Sequence, residues 1–241
     1  MSGAGTGYNP GVDLREEIQE VRDYRPARTY GTVQRVKGLL IEARTPRVFI
    51  GEICFVESDS PAAGNGAPER IPCEVVGVDR GTTFLMPFEY VDSVSVGSRV
   101  ETTGDPFSVQ VGEELLGRVL NGLGEPVDGE GQITTEQTAP VNRDPPRPME
   151  RPRITEVLGS GVRVIDSLLT WGKGQRLGVF SGSGVGKSTL LGMMARNSDA
   201  DVNVIALIGE RGREVREFIE TNLGDEGLEK SVVITVTSDE S

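Results

Sequence analysis

Nine consecutive residues carry the most specific chemistry in this chain: Ser181, Gly182, Ser183, Gly184, Val185, Gly186, Lys187, Ser188 and Thr189. Glycines at alternate positions let the backbone curl so that successive N–H groups converge on one anion. The residues that follow have helical character, and the partial positive charge of a helix N-terminus adds to that cradle. Lys187 supplies a point charge for the β- and γ-phosphates, and the Ser188 hydroxyl is a ligand for Mg²⁺. Thr189 falls on the α-phosphate side. The strict P-loop (Walker A) pattern opens on glycine where this chain has Ser181, a small residue that preserves the tight turn. The competing reading is an ordinary glycine-rich turn between a strand and a helix. The order of strand, loop, Lys-Ser and helix favours the first, with ATP and Mg²⁺ bound through residues 182–189.

A second segment, Ile208-Gly209-Glu210-Arg211-Gly212-Arg213-Glu214, ends the next apolar run. Ligands of open α/β sheets bind beyond the carboxyl ends of the strands. Glu210 therefore emerges on the edge that carries the glycine loop. A carboxylate there can orient and polarise water for in-line attack on a γ-phosphate. By spacing alone, a solvated turn residue or a helix N-terminal carboxylate stays open.

The elements that must position these residues follow from periodicity. From Gly174 onward the pattern is β–α–β–α–β: GQRLGVF as a buried strand, the loop, and a helix to about Asn197. The strand VNVIALIGE, the helix REVREFIETNL ending at Gly224, and the strand SVVITVTSD follow. Apolar strands alternating with helices predict a parallel sheet covered on both faces. Leu190, Leu191, Met193 and Met194 read as core residues of the first helix.

Before that, residues 28–103 show short runs rich in Val, Ile, Phe and Thr between glycines, which predicts a small β-barrel. SDSPAAGNGAPE, residues 58–69, reads as a flexible surface loop. VGEELLGRVLNGLG, residues 111–124, reads as a short helix closed by glycine. The proline-rich stretch PVNRDPPRPMERP resists helix and central strand, so it predicts an extended crossing segment. Residues 1–27 form a polar tail in which Leu14, Ile18 and Val21 recur at helical spacing. That is either a solvated amphipathic helix or a docking helix for a partner or membrane surface. The expected domains are thus the tail 1–27, the barrel 28–103 and the α/β core 104–241.

Composition narrows the function. With 25 basic and 37 acidic residues the net charge is −12, a surface that repels nucleic acid. There is no histidine, which excludes His-based triads and His-bound metals within these residues. Cys54 and Cys73 fit buried thiols of a reducing compartment. No apolar run reaches the ~18 residues of a membrane span, and the first residues lack a secretory pattern, so a cytoplasmic protein is expected.

GQRLGVFSGSGVGKSTLLGMMARN, DVNVIALIGERGREVREFIE and VVITVTSDES together resemble the flagellar export ATPase and its type III secretion relatives. These in turn are similar to the catalytic subunit of the rotary ATP synthase. The likeness extends to GLLIEA, GEICFVE, EVVGV, LLGRVLNGLGEPVDG and GVRVIDSLLTWGKGQR, from about residue 28 onward. Trp171 departs from the smaller apolar residue usual there, and local packing is the expected reason.

The resemblance implies a β-barrel, a RecA-like P-loop core and a C-terminal helical domain, assembled as a homohexamer. It implies an ATPase that energises protein export, working with stalk and regulator proteins and a membrane-associated export gate. It would be cytoplasmic and peripheral to the inner membrane. Lys187 and Ser188 would hold phosphate and Mg²⁺, Glu210 would activate water, and Arg211 would support the γ-phosphate or Glu210. The family's second acidic Mg²⁺-site residue, its arginine for a neighbouring site and its helical domain lie beyond the stretch matched here. Residues 1–241 alone are therefore expected to turn ATP over slowly. The alternatives are an ion-translocating ATP synthase subunit, a non-catalytic nucleotide-binding fragment and a hexameric nucleic-acid translocase. GLLIEA and IGERGREVREFIE favour export, and the acidic barrel argues against nucleic acid.

Overall fold

The computed structural model describes residues 29–61, 68–89, 91, 93–182 and 184–238. The predicted stripe of Leu14, Ile18 and Val21 lies outside them, as does Ser183.

Six strands form a closed barrel in the order β1-β2-β5-β4-β3-β6. They are β1 (Thr29–Lys37), β2 (Leu40–Arg44), β3 (Glu52–Pro61), β4 (Pro68–Asp79), β5 (Thr82–Pro87) and β6 (Arg99–Pro106). Side chains alternate in and out with the two-residue period of a pleated strand. The inward set, including Val33, Ile41, Val56, Val75, Leu85 and Val100, makes one apolar core. Between β4 and β5, Arg80 and Gly81 both have positive φ, 46° and 84°, the backbone a two-residue hairpin turn needs to match strand twist. The carboxylate of Glu52, almost fully buried, accepts the N–H of Phe49 at 3.2 Å and that of Gly104 at 2.8 Å, tying β3 to the end of β6. Cys54 and Cys73 face each other across β3 and β4, free and fully buried. Burial pushes both thiols up to about 12. The loop predicted over 58–69 is shorter than its composition suggests. Residues 58–61 continue β3 and 68–69 open β4, because main-chain pairing such as Pro61 opposite Pro68 extends the hairpin outward.

Phe88, Glu89 and the residues from Pro106 onward form a second compact unit. Its elements are β7 (Ser108–Val111), β8 (Val119–Leu120), β9 (Gln137–Pro140), β10 (Val157–Leu158), α1 (Arg163–Leu168) and β11 (Trp171–Gly172). Then come α2 (Lys187–Asn197), β12 (Asn203–Glu210), α3 (Gly212–Glu217), a π-helical turn (Phe218–Leu223), α4 (Gly224–Glu229) and β13 (Ser231–Thr237). The sheet order is β12-β13-β8, with both pairings parallel. One face packs on the helices through Ala195, Phe218, Leu223 and Val233. On the other, Leu115, Leu116 and Ile133 cover β8 and β13. Val204 and Ile208 of β12 remain exposed there, so the predicted two-sided cover is incomplete over β12 among the described residues.

Three local expectations are corrected. GQRLGVF, predicted as a buried strand, pairs with no strand among the described residues, and Phe180 is 96% exposed. A strand exists only by pairing, and among the described residues β12 is hydrogen-bonded on one edge alone. VGEELLGRVLNGLG is not a helix. It holds a 3₁₀ turn at Glu113–Leu115, the short strand β8 and a turn whose N–H groups at Leu123 and Glu125 donate to the Asn121 side chain. Gly117 and Gly124 adopt left-handed φ, 79° and 82°, which breaks helical continuity at both points. Of the α2 residues read as core, Met194 is buried and Leu190 half-buried, whereas Leu191 and Met193 are exposed. The helix α1 was not legible in the sequence, since its single turn and a half carries too few periodic positions. Trp171 packs against the cluster of Val162, Ile165 and Met194. No helix among the described residues is long and apolar enough to cross a membrane.

Candidate nucleotide site

The loop before α2 turns on two left-handed glycines, Gly184 (φ 74°) and Gly186 (φ 96°), the second at the helix N-cap. A side chain at either would be strained, and a Cβ at Gly182, Gly184 or Gly186 would meet nothing within 4 Å. The concavity is therefore open in front of the main chain. The first helical bond runs from Leu190 N–H to Gly186 C=O at 2.9 Å. No side chain caps the helix, so its first-turn N–H groups stay oriented toward the loop.

Gly182, Gly184, Gly186, Lys187, Ser188 and Thr189 line a cavity of about 400 Å³, and Glu210 lines it too. Glu210 is brought there by the end of β12. Gly209 takes φ 74° and shifts the register, so that Ile208 opposes Val236 but Glu210 opposes Thr237. Such a bulge re-aims the side chain that follows it. The carbonyl of Glu210 accepts the N–H of Ser238 at 2.9 Å, which pins the strand end.

Two residues expected at the site stand apart from the cavity lining. Val185 is 68% exposed at the loop tip. Arg211 is the N-cap residue of α3, and its guanidinium lies 3.6 Å from the carboxylate of Glu214. Both partners are solvated, so this pair holds Arg211 weakly. Sequence reasoning missed Glu214, Glu217 and Asn222, which complete the wall. Glu214 and Glu217 are three apart on α3 and share one helix face, a signal a helical projection of REVREFIE would have shown. Asn222 has no such signal, since its place depends on the π-helical turn.

The donor set suits a triphosphate with a hard cation. Main-chain N–H groups and the Lys187 ammonium could meet an anion, the Ser188 hydroxyl could hold a metal, and the Glu210 carboxylate lines the same cavity.

A closed barrel followed by a parallel sheet with this loop defines a barrel-linked nucleotide-binding protein. Residues 33–104 match the ATP synthase alpha/beta family β-barrel domain, and residues 161–241 match that family's nucleotide-binding domain. The chain belongs to the ATP synthase alpha/beta family.

It is 50% identical over 213 residues to the flagellum-specific ATP synthase of Bacillus subtilis (strain 168), covering 88% of this chain and 47% of that one. It is 46% identical over 223 residues to the type 3 secretion system ATPase of Xanthomonas euvesicatoria, covering 92% and 49%. Among solved structures it is similar to the assembled ATPase EscN of the enteropathogenic E. coli type III secretion system. The TM-score is 0.75 at 40% identity, covering 87% of this chain and 48% of that chain. EscN in complex with its central stalk EscO gives a TM-score of 0.76 at 40% identity, covering 87% and 49%. The chain spans about half the length of the curated relatives it matches.

Proposed function

We propose that this protein is an ATP-hydrolysing subunit of a flagellar or type III protein-export motor. The observation that carries the reading is the meeting of the glycine loop, Lys187, Ser188 and Glu210 around one cavity. The named relatives support the export assignment over an ion-translocating synthase.

In this reading the N–H groups of residues 182–189 cradle the phosphates, and the Lys187 ammonium neutralises charge on the β- and γ-oxygens. The Ser188 hydroxyl would hold Mg²⁺, which when bound neutralises charge shared between β- and γ-phosphates. Glu210 accepts a hydrogen bond from a water lying in line with the γ-phosphorus and takes its proton as the bond forms. Arg211, only weakly paired with Glu214, would be free to support the γ-phosphate or the geometry of Glu210. Glu214 and Glu217 orient further water at the metal side.

The domains are a tail 1–27, a barrel 28–103 and a core 104–241. Self-assembly into a hexamer and a stalk partner are part of the proposal, supported by the assembled ATPase EscN and its complex with the central stalk EscO. So are cytoplasmic placement beside the inner membrane and docking of Leu14, Ile18 and Val21 on a regulator or the export gate.

Calorimetric titration of the 241-residue chain with MgATP tests the site. Lys187→Ala is expected to remove most triphosphate affinity while the barrel keeps its circular-dichroism spectrum. Unchanged binding in that variant would overturn the assignment.

A further inference from the structure

Residues 212–223 separate two cavities. Glu214, Glu217 and Asn222 face the glycine-loop cavity. Val215, Arg216, Ile219 and Glu220 line a second cavity of about 970 Å³. At 100° per residue, Glu214 and Glu217 lie on the side of the helix opposite to these four. The far wall of the second cavity comes from β8 and the loop behind it, with Arg118, Asp128 and Glu130, and from Thr235 of β13.

That wall has unused polar capacity. Thr235 is 7% exposed, and among the described residues its hydroxyl is the buried side-chain oxygen without a hydrogen-bond partner. Buried hydroxyls are normally paired, and an unpaired one marks a place where a polar group is missing. The charges around it are not balanced. The Arg118 guanidinium donates to both carboxylate oxygens of Asp128, at 2.7 and 2.8 Å, and the Arg216 guanidinium donates to Glu220 at 2.7 Å. Both cations are thus taken. Glu130 closes no ion pair among the described residues. Between these groups the surface is apolar, made by Val119, Val215, Ile219 and Leu228.

We infer that the second cavity is a binding site for a compact amphiphilic organic cation. Its apolar body lies on Val119, Val215, Ile219 and Leu228, its cationic head faces Glu130, and a polar group on the body meets Thr235. The site is coupled to the nucleotide cavity through residues 212–223, a clause that rests on the proposed function above. Those residues end in a π-helical turn, a wide turn frequent at functional sites. A ligand seated behind them pushes Glu214 and Glu217 toward the glycine loop and weakens MgATP binding. By linkage MgATP weakens the ligand by the same factor, about fivefold or more.

The probe is 4-phenylbenzamidine, with neutral biphenyl-4-carboxamide as the uncharged control. Both are titrated by calorimetry into the full 241-residue chain without nucleotide. Saturable amidine binding is expected, weakened at least fivefold by Glu130→Gln, and at least fivefold weaker for the amide. Ile219→Trp, which places an indole on the apolar surface that the biphenyl needs, is expected to weaken it at least fivefold, with folding checked by circular dichroism. Absence of saturable binding, or binding indifferent to Glu130→Gln, overturns the site. Titration at rising MgATP is expected to raise the apparent Kd to a plateau. A rise without limit means that the amidine occupies the glycine-loop cavity, which overturns the site. No rise, with MgATP binding measured separately, overturns the coupling. If MgATP itself does not bind, the proposed function fails while the nucleotide-free titration still decides the amidine site.

Discussion

Gly192 of α2 lies directly against the carbonyl oxygen of Asn222, closer than any side chain at that position could be accommodated without a backbone shift. The helix that starts at Lys187 is thus in main-chain contact with the π-helical turn that carries Asn222 into the cavity. Gly192→Ala is expected to destabilise the second unit by about 1–3 kcal/mol, the usual range for overpacking. Urea denaturation followed by circular dichroism checks it, and an unchanged midpoint would show that the turn yields freely.

Glu210→Gln keeps the shape of the strand end but removes the charge that polarises water. MgATP affinity is expected to stay within a few-fold of the parent. Phosphate release should fall by about 10² or more in the full-length protein, the range for loss of a general base, and change little in residues 1–241 alone. Calorimetry and a steady-state phosphate assay on the same preparation separate the two effects. A parallel loss of affinity would make Glu210 a binding group instead.

Asp128 accepts two bonds from Arg118 and one from the Val119 N–H at 3.0 Å. The hydrogen bonds from the Arg118 guanidinium, the first cause, hold its carboxyl well below the usual carboxylate range. A depressed folded-state value contributes stability that is fully present above the unfolded value of about 3.9 and is lost as pH falls below it. Asp128→Asn is expected to cost about 2 kcal/mol at pH 7. It should also flatten the acid limb of stability against pH below about 4. Urea midpoints across pH 3–7 for both proteins provide the test.

The Cys54 and Cys73 thiols are pushed up to about 12 by burial, above the ordinary value. A raised folded-state value contributes stability that is present below the unfolded value of about 8.5 and is lost as pH rises toward 12. Barrel stability is therefore expected to decline between about pH 8.5 and 12, and less so in the Cys54→Ala, Cys73→Ala double variant. Iodoacetamide at pH 8 should leave both thiols unmodified in the folded protein and alkylate both in urea. Mass spectrometry reads the outcome, and rapid labelling without urea would contradict their burial.

Local chemistry made much of this protein legible in its sequence. The left-handed turns at Gly184 and Gly186 and the helix opening at Lys187 are properties of a few adjacent residues. The short runs rich in Val, Ile, Phe and Thr between glycines predict the strands of the barrel without knowledge of their partners. The strands β12 and β13 are apolar runs bounded by turn residues, and both fall where periodicity puts them.

Tertiary structure decided what depends on partners distant in sequence. GQRLGVF reads as a strand beside β12, yet it lies unpaired among the described residues, because a strand is a pairing and not a composition. VGEELLGRVLNGLG has helical residue types, but β8 forms inside it because β13 offers main-chain groups to Val119 and Leu120. Asn222 reaches the glycine-loop cavity only because the π-helical turn and the close packing at Gly192 carry it there. Spacing names the residues able to bind phosphate. Spacing also puts Glu214 and Glu217 on one helix face, but that Asn222 shares their cavity is set by long-range packing that no local pattern encodes.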